Sequence, residues 1–234
     1  MTQSLQALKT HKDARNRQAF NEVLQQFLPQ LKPYVAARLR YAEHVGLIPR
    51  RMYFPNDIVD EIYLEVFDHL SDADLDPKKL KIRLFKLADA KLEKILKEEA
   101  RWQERKVPIE DIVQEELKSL EETFYPEEML DDIEYRQDEY RPKLLLLEEG
   151  FEGDLLDFLE LDRSLRQEAR HRQLLAQAYE SLPPLSRIIL ELKVNGNLTL
   201  EEIADVREMD VEEVEAVLEA VKRRFRQTLG QEAA

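Results

Sequence analysis

Few side chains in this chain of 234 residues have the type and spacing that catalysis or metal binding requires. There is no cysteine, and the sequence contains neither a glycine-rich phosphate loop nor a GxSxG motif. The carboxylates of "EEMLDDIE" (127–134) could bind a hard cation, but they lack the ordered spacing of a calcium loop. The histidines are isolated and form no metal-binding pair: His11, His44, His69 and His171. We therefore expect a non-enzyme with no metal site, no cofactor and no small-molecule substrate, whose chemistry is binding.

The charge that could support binding is unevenly distributed. The net charge is −14. Residues 1–106 carry 20 Lys+Arg against 16 Asp+Glu, residues 107–163 carry 5 against 20, and residues 164–234 carry 10 against 13. A phosphate-binding surface needs local positive charge, so the middle segment is a poor candidate for one.

The elements that must position any binding side chains are helical. Only five glycines stand among many Leu, Glu, Lys, Arg and Ala residues, which favours an all-α fold. Apolar stripes at three- and four-residue steps predict a four-helix unit over about 14–106 and a second helical block over about 164–230. The acidic segment between them is typical of a flexible linker. Its interspersed Leu, Phe and Tyr residues leave room for short helices that dock on a basic partner or on the chain's own domains. We predict two helical domains, 1–106 and 164–234, joined by an acidic linker, 107–163.

The N-terminal 20 residues are polar and mixed in charge, without the apolar core of a signal peptide. The longest leucine run, Leu144–Leu147, is far too short to span a bilayer. Together with the absence of cysteine, these observations lead us to expect a soluble cytoplasmic protein with no membrane partner.

The last block carries a recognisable combination of residues. It reads "LP", then "RIIL", "LTLEEIA", "VEEV" and "KRRF" along residues 182–225. This pattern resembles the promoter-upstream-element domain of bacterial RNA polymerase sigma factors, the small two-domain kind, and implies a helix-turn-helix. Thr199 and Glu202 have the spacing of a capping box at the start of its first helix. The resemblance implies contacts with DNA at Thr199, Glu212, Glu213, Ala216, Lys222, Arg223, Arg224 and Arg226.

The first block looks like the other domain of the same family, which docks on the polymerase clamp and melts the promoter. "DIVDEIYLEVFDHL" is similar to its acidic-apolar docking helix, and "LFKLADAKLEKILK" to the helix that follows. The resemblance implies that core polymerase is bound through Asp57, Asp60, Glu61, Leu64 and Phe67. It implies contacts with promoter DNA at Arg83, Lys86, Lys91 and Lys94.

The sequence departs from the family at informative positions. Glu208 stands at the tight turn where the family has glycine, Arg83 stands at an aromatic position, and Asp89–Ala90 replace an Arg-Asn pair. Carboxylates at Glu212 and Glu213 would lie near phosphates, so we expect weak duplex binding by the isolated motif.

Three functions stay open at this point. The first is a divergent sigma factor that binds core polymerase and promoter DNA. The second is a sigma-fold regulator or mimic that binds an anti-sigma protein or polymerase without reading promoters. The third is a helical scaffold without a role in transcription. The retained two-block layout and the basic tail favour the first, and the acidity of the would-be reading helix favours the second.

Overall fold

The computed structural model describes residues 2–71, 76–105 and 147–230. These residues form ten α-helices and one short 3-10 helix, Arg163–Gln167, with no strand among them, which confirms the all-helical prediction. In chain order the helices are α1 (Thr2–Asp13), α2 (Arg17–Phe27), α3 (Leu31–His44), α4 (Pro55–His69), α5 (Pro77–Arg105), α6 (Glu149–Leu159), α7 (Ala169–Glu180), α8 (Pro184–Val194), α9 (Leu200–Arg207) and α10 (Val211–Gly230).

Local signals in the sequence explain several helix starts. The Asn16 side chain accepts from the backbone N–H of Ala19 at 3.1 Å and caps α2. Proline occupies the first position of α4 and α8, where its missing N–H costs nothing. Thr199 and Glu202 form the expected capping box at α9, with both reciprocal bonds present.

Helices α1 to α5 pack around aromatic and aliphatic side chains. Phe20 of α2 meets Phe67 of α4 edge to face at 5.0 Å between ring centroids, and Tyr34 of α3 meets Phe85 of α5 at 5.3 Å. We expected the first helix near residue 14, but α1 precedes it. The buried Leu5 and Leu8 attach α1 to the same core, so this block has five helices rather than four.

Helix α6 lies inside the segment predicted to be a linker. Its buried side chains Phe151, Leu155, Leu156 and Leu159 pack in a core with α7, α8 and α10, and Phe151 meets Tyr179 at 5.5 Å. Glu149, Asp154 and Asp157 of α6 are exposed, whereas Glu152 is buried and lies 3.0 Å from Arg172 of α7. A high charge density therefore did not prevent burial of an apolar stripe. Residues 107–146 of the predicted linker lie outside the described residues.

The two predicted blocks share a core. Buried Ile189, Leu192, Leu198 and Ile203 from the last block belong to the same apolar cluster as the residues of α2 to α5. Gly196 allows this close approach, because a Cβ there would lie 3.1 Å from the Phe85 ring and 2.6 Å from a backbone oxygen. The surface of α5 is therefore partly covered by α8 and α9.

None of the described helices combines the length and the apolar character needed to cross a bilayer.

Candidate functional site

The predicted docking helix α4 presents one acidic and apolar face to solvent. Asp57, Asp60 and Leu64 are exposed and lie three or four residues apart, which places them on one side of the helix. Glu61 is also exposed and pairs with Lys91 of α5. Four of the five residues predicted to bind polymerase therefore line an accessible surface, hereafter the α4 face.

The fifth residue, Phe67, points into the core. Only 7% of it is exposed, and it contacts Phe20 and lies 5.6 Å from the guanidinium of Arg17. It cannot contact a partner while α2 and α4 stay packed. Leu64, which is 36% exposed, is the apolar anchor that the α4 face offers.

The basic side chains predicted to touch promoter DNA on α5 all have intramolecular partners. Arg83 donates to the carbonyl oxygen of His69 at 3.2 Å. Lys86 lies 3.2 Å from a carboxylate oxygen of Glu208, Lys91 pairs with Glu61, and Lys94 lies 3.9 Å from the exposed Glu98 one turn along the helix.

A further lysine of α5, Lys81, was not predicted. Its Nζ donates to a carboxylate oxygen of Glu202 at 2.7 Å and to the carbonyl oxygen of Asn197 at 3.3 Å. Lys81 and Lys86 both face α9 or the turn after it. Carboxylates of the last block therefore form ion pairs with these two basic side chains of α5.

The connection between α9 and α10 is three residues long, and Glu208 holds the left-handed conformation, with φ 55° and ψ 48°. The sigma factors that the sequence resembles have glycine at this position. Glutamate instead adopts the strained backbone, and its N–H bonds the Ala204 carbonyl oxygen at the end of α9.

The first turns of α10 are exposed and acidic. Glu212, Glu213 and Ala216 are all accessible to solvent. Glu213 also accepts from the backbone N–H of Asp210 at 3.2 Å, which is one half of a capping box. This carboxylate therefore has a structural role at the helix start.

The basic end of α10 contacts the end of α6. Lys222 lies 3.4 Å and Arg226 3.5 Å from carboxylate oxygens of Glu160, and Lys222 also sits 5.1 Å above the Phe158 ring. Arg224 donates to the Ser181 hydroxyl at 2.9 Å. The fourth residue of the group, Arg223, is exposed.

Sequence reasoning missed a buried polar network between the blocks, centred on Asp89 of α5. Asp89 is 4% exposed and accepts from the Tyr34 hydroxyl of α3 and, at 2.5 Å, from the Arg207 guanidinium of α9. Arg207 also donates to Glu93 at 3.2 Å. Burial, followed by the charge of Asp89, raises the pKa of Tyr34 well above its usual value, so the hydroxyl stays a donor.

A second carboxylate, Glu191 of α8, completes this network. It is fully buried, accepts from the Tyr179 hydroxyl, and lies 3.7 Å from the Nε of Arg38 on α3. Burial raises its pKa, against the opposing charge of Arg38. The two carboxylates together link α3, α5, α7, α8 and α9. The only sequence signal was Asp89 itself, which had been marked as a departure from the family.

Among the described residues, no three potential metal ligands lie close enough to hold an ion. The carboxylate run 127–134 lies outside them.

No protein family, curated protein or solved structure was found to match this chain.

Proposed function

We propose that the protein is a divergent sigma-like factor, which binds core RNA polymerase through the α4 face and directs it to promoter DNA. The observation that carries the proposal is the exposed combination of Asp57, Asp60 and Leu64. A carboxylate pair beside an apolar anchor suits a basic helical surface, because the charges orient the partner and the leucine supplies buried area.

The proposed DNA contacts come from α5, α9 and α10. The eight-residue helix α9, joined by a three-residue turn to α10, supports a helix-turn-helix, whose second helix would enter the major groove. In the free protein Lys81 and Lys86 are paired with carboxylates of the last block, so contact with phosphates requires these pairs to be exchanged. Polymerase would supply the high local concentration of promoter that weak contacts need.

A second function is favoured by a specific observation. Glu212 and Glu213 are exposed where a reading helix would approach phosphates, and Lys222 and Arg226 are engaged by Glu160. A sigma-fold regulator or mimic needs only protein-facing surfaces, for an anti-sigma protein or for polymerase, and would tolerate this charge pattern.

The test of polymerase binding is a pull-down of core enzyme with the Leu64→Arg variant of the full chain. We expect at least a tenfold loss of affinity, because a charge replaces the apolar anchor at the centre of the contact. Leu185→Arg is the matched control, since Leu185 is similarly exposed on α8 at 41%. Equal retention of both folded variants would contradict the proposal.

Run-off transcription with core polymerase then separates the two functions. A sigma-like factor gives specific transcripts from genomic templates, and the Leu64→Arg variant loses them. A protein that binds core polymerase through the α4 face but yields no transcript from any genomic template is the regulator or mimic.

A further inference from the structure

A cavity of about 230 Å³ lies between α3, α5 and α8. Its walls are mostly aliphatic, and α3 and α5 of the first block and α8 of the last block all contribute to it. The apolar lining residues are Leu39, Ala42, Leu47, Leu92, Ile95, Leu96, Pro184 and Ile188. An apolar cavity of about 150 Å³ is enough to bind benzene, so this one has room for a two-ring aromatic group.

One wall of the cavity carries a buried cation. Arg187 of α8 is 7% exposed, stacks 3.4 Å from the centroid of the Tyr41 ring, and donates from one terminal nitrogen to the Leu182 carbonyl oxygen. Within the described part of the chain its Nε has no hydrogen-bond acceptor. A buried guanidinium with an unused donor is costly, and an anion would satisfy it.

Two carboxylates line the same wall. Glu191 accepts from Tyr179 through one oxygen, and its other oxygen lies 3.7 Å from Arg38 and has no hydrogen-bond donor within the described residues. Glu93 accepts from Arg207. Neither forms an ion pair with Arg187 at 4.0 Å or less in the described structure. The wall therefore offers a ligand the unused Nε donor of Arg187, a cation that makes no direct ion pair although its charge acts on Glu191.

We propose that this cavity binds a small aromatic carboxylate, with the rings among the aliphatic side chains and the carboxylate on Arg187. The chemistry follows from the apolar walls, the volume and the unused Nε donor of the Arg187 guanidinium. This inference does not depend on the proposed function, since it concerns a site away from the α4 face. Because both blocks contribute walls, the ligand favours the arrangement in which they are packed together.

The test is isothermal titration of the full chain with naphthalene-2-carboxylate and with naphthalene-2-carboxamide, its neutral isostere. We expect saturable binding of one carboxylate per chain, a raised unfolding temperature, and at least tenfold weaker binding of the amide. No saturation by the carboxylate at millimolar concentration would overturn the proposal, and so would equal affinity for the two compounds.

Two variants locate the binding site. Arg187→Gln should bind the carboxylate and the amide with similar affinity, because it lacks the cation. Ala42→Leu should lose both compounds, because the larger side chain fills the cavity while Arg187 is retained. Circular dichroism verifies that each variant is folded. Unchanged carboxylate affinity in both folded variants would place the ligand elsewhere and overturn the proposal.

Discussion

Asp89, which departs from the pattern of the sigma factors that the sequence resembles, is buried in a contact between helices. A carboxylate at this position cannot favour DNA, but it accepts from Tyr34 and Arg207 and so ties α3 and α9 to α5. The residue that weakens the resemblance to a strand-separating helix thus makes one of the contacts that join the two blocks, in addition to the shared apolar core.

Arg207→Met tests this contact, because it leaves the buried Asp89 carboxylate without its cation. We expect the free energy of unfolding to fall by about 3–5 kcal/mol, the usual cost of breaking a buried ion pair from one side. Adding Asp89→Asn to the same variant should recover part of the loss, because no charge then remains to be buried. The measurement is denaturant unfolding with an unchanged m-value.

Lys86→Met is the matched control, since it removes a lysine from an exposed ion pair with Glu208 on the same interface. Exposed pairs contribute about 0–1 kcal/mol, so the control should be almost neutral. A loss in Arg207→Met no larger than in this control would show that Asp89 is not held by Arg207 in solution.

Glu191 makes a contribution to stability that depends on pH. Burial raises its pKa, so between the ordinary glutamate pKa of about 4.3 and the raised value the folded chain binds more protons than the unfolded chain. Stability therefore falls as the pH rises through this window. Wild type should lose free energy of unfolding relative to Glu191→Gln, which cannot titrate, when both are measured from pH 4 upward.

Glu201 should contribute to stability with the opposite pH dependence from Glu191. The hydroxyl of Thr199 lowers the pKa of Glu201, so its contribution is present above the ordinary pKa and is lost as the pH falls. The free energy of unfolding of the wild type should accordingly increase relative to that of Glu201→Gln as the pH rises. The same trend for both variants would contradict the assignment for Glu191.

At the residue scale, the sequence predicted hydrogen bonds between residues close along the chain but not ion pairs between distant residues. The capping box of Thr199 and Glu202 was predictable, because both members lie within one turn of chain. The pairing of Asp89 with Arg207 was not, because the two residues are 118 positions apart and both could have faced solvent.

At the scale of elements, periodicity predicted α2 to α5 and α7 to α10 well, since their apolar stripes are regular. Helix α1 was missed because "TQSLQALKTHKD" is mostly polar, and the buried side chains among those described in this helix are Leu5 and Leu8. Helix α6 lies in the segment that its acidity predicted to be a linker, where the Leu, Phe and Tyr residues left room for a docked helix without locating it. In both cases burial against distant residues decided the structure, and local composition could not show it.

The turn between α9 and α10 supports a prediction at this scale. Glu208 is held at positive φ, where a non-glycine residue costs roughly 1–2 kcal/mol. Glu208→Gly should be more stable than Glu208→Ala by about 1 kcal/mol, because both lose the pair with Lys86 and only glycine relieves the backbone. Thermal unfolding of the two variants measures the difference, and equal stability would mean that the turn is not strained in solution.

At the scale of the whole molecule, the shared core makes the two blocks depend on each other. Ile189, Leu192 and Leu198 are buried in one cluster with Leu84 and Phe85, so neither set of helices keeps its surroundings if the other departs. The resemblance to two domains that act separately gave no indication of this packing.

Native-state hydrogen exchange tests the interdependence. The most protected amides of α5 and of α9 should open with the same free energy, because they become exposed only in a common unfolding step. In Arg207→Met both values should fall together. Opening of one block at a clearly lower free energy than the other would show that the blocks unfold independently.

The distance along the chain between Asp89 and Arg207 also bears on biosynthesis. A ribosome adds about 5–20 residues per second, so roughly 6–24 s pass between the translation of these two residues. During that interval the nascent chain presents a carboxylate and the apolar side of α5 without the helices that cover them. The first block therefore reaches its final environment only after the residues of α8 and α9 have been translated, and until then apolar side chains of α5 stay exposed to the solvent.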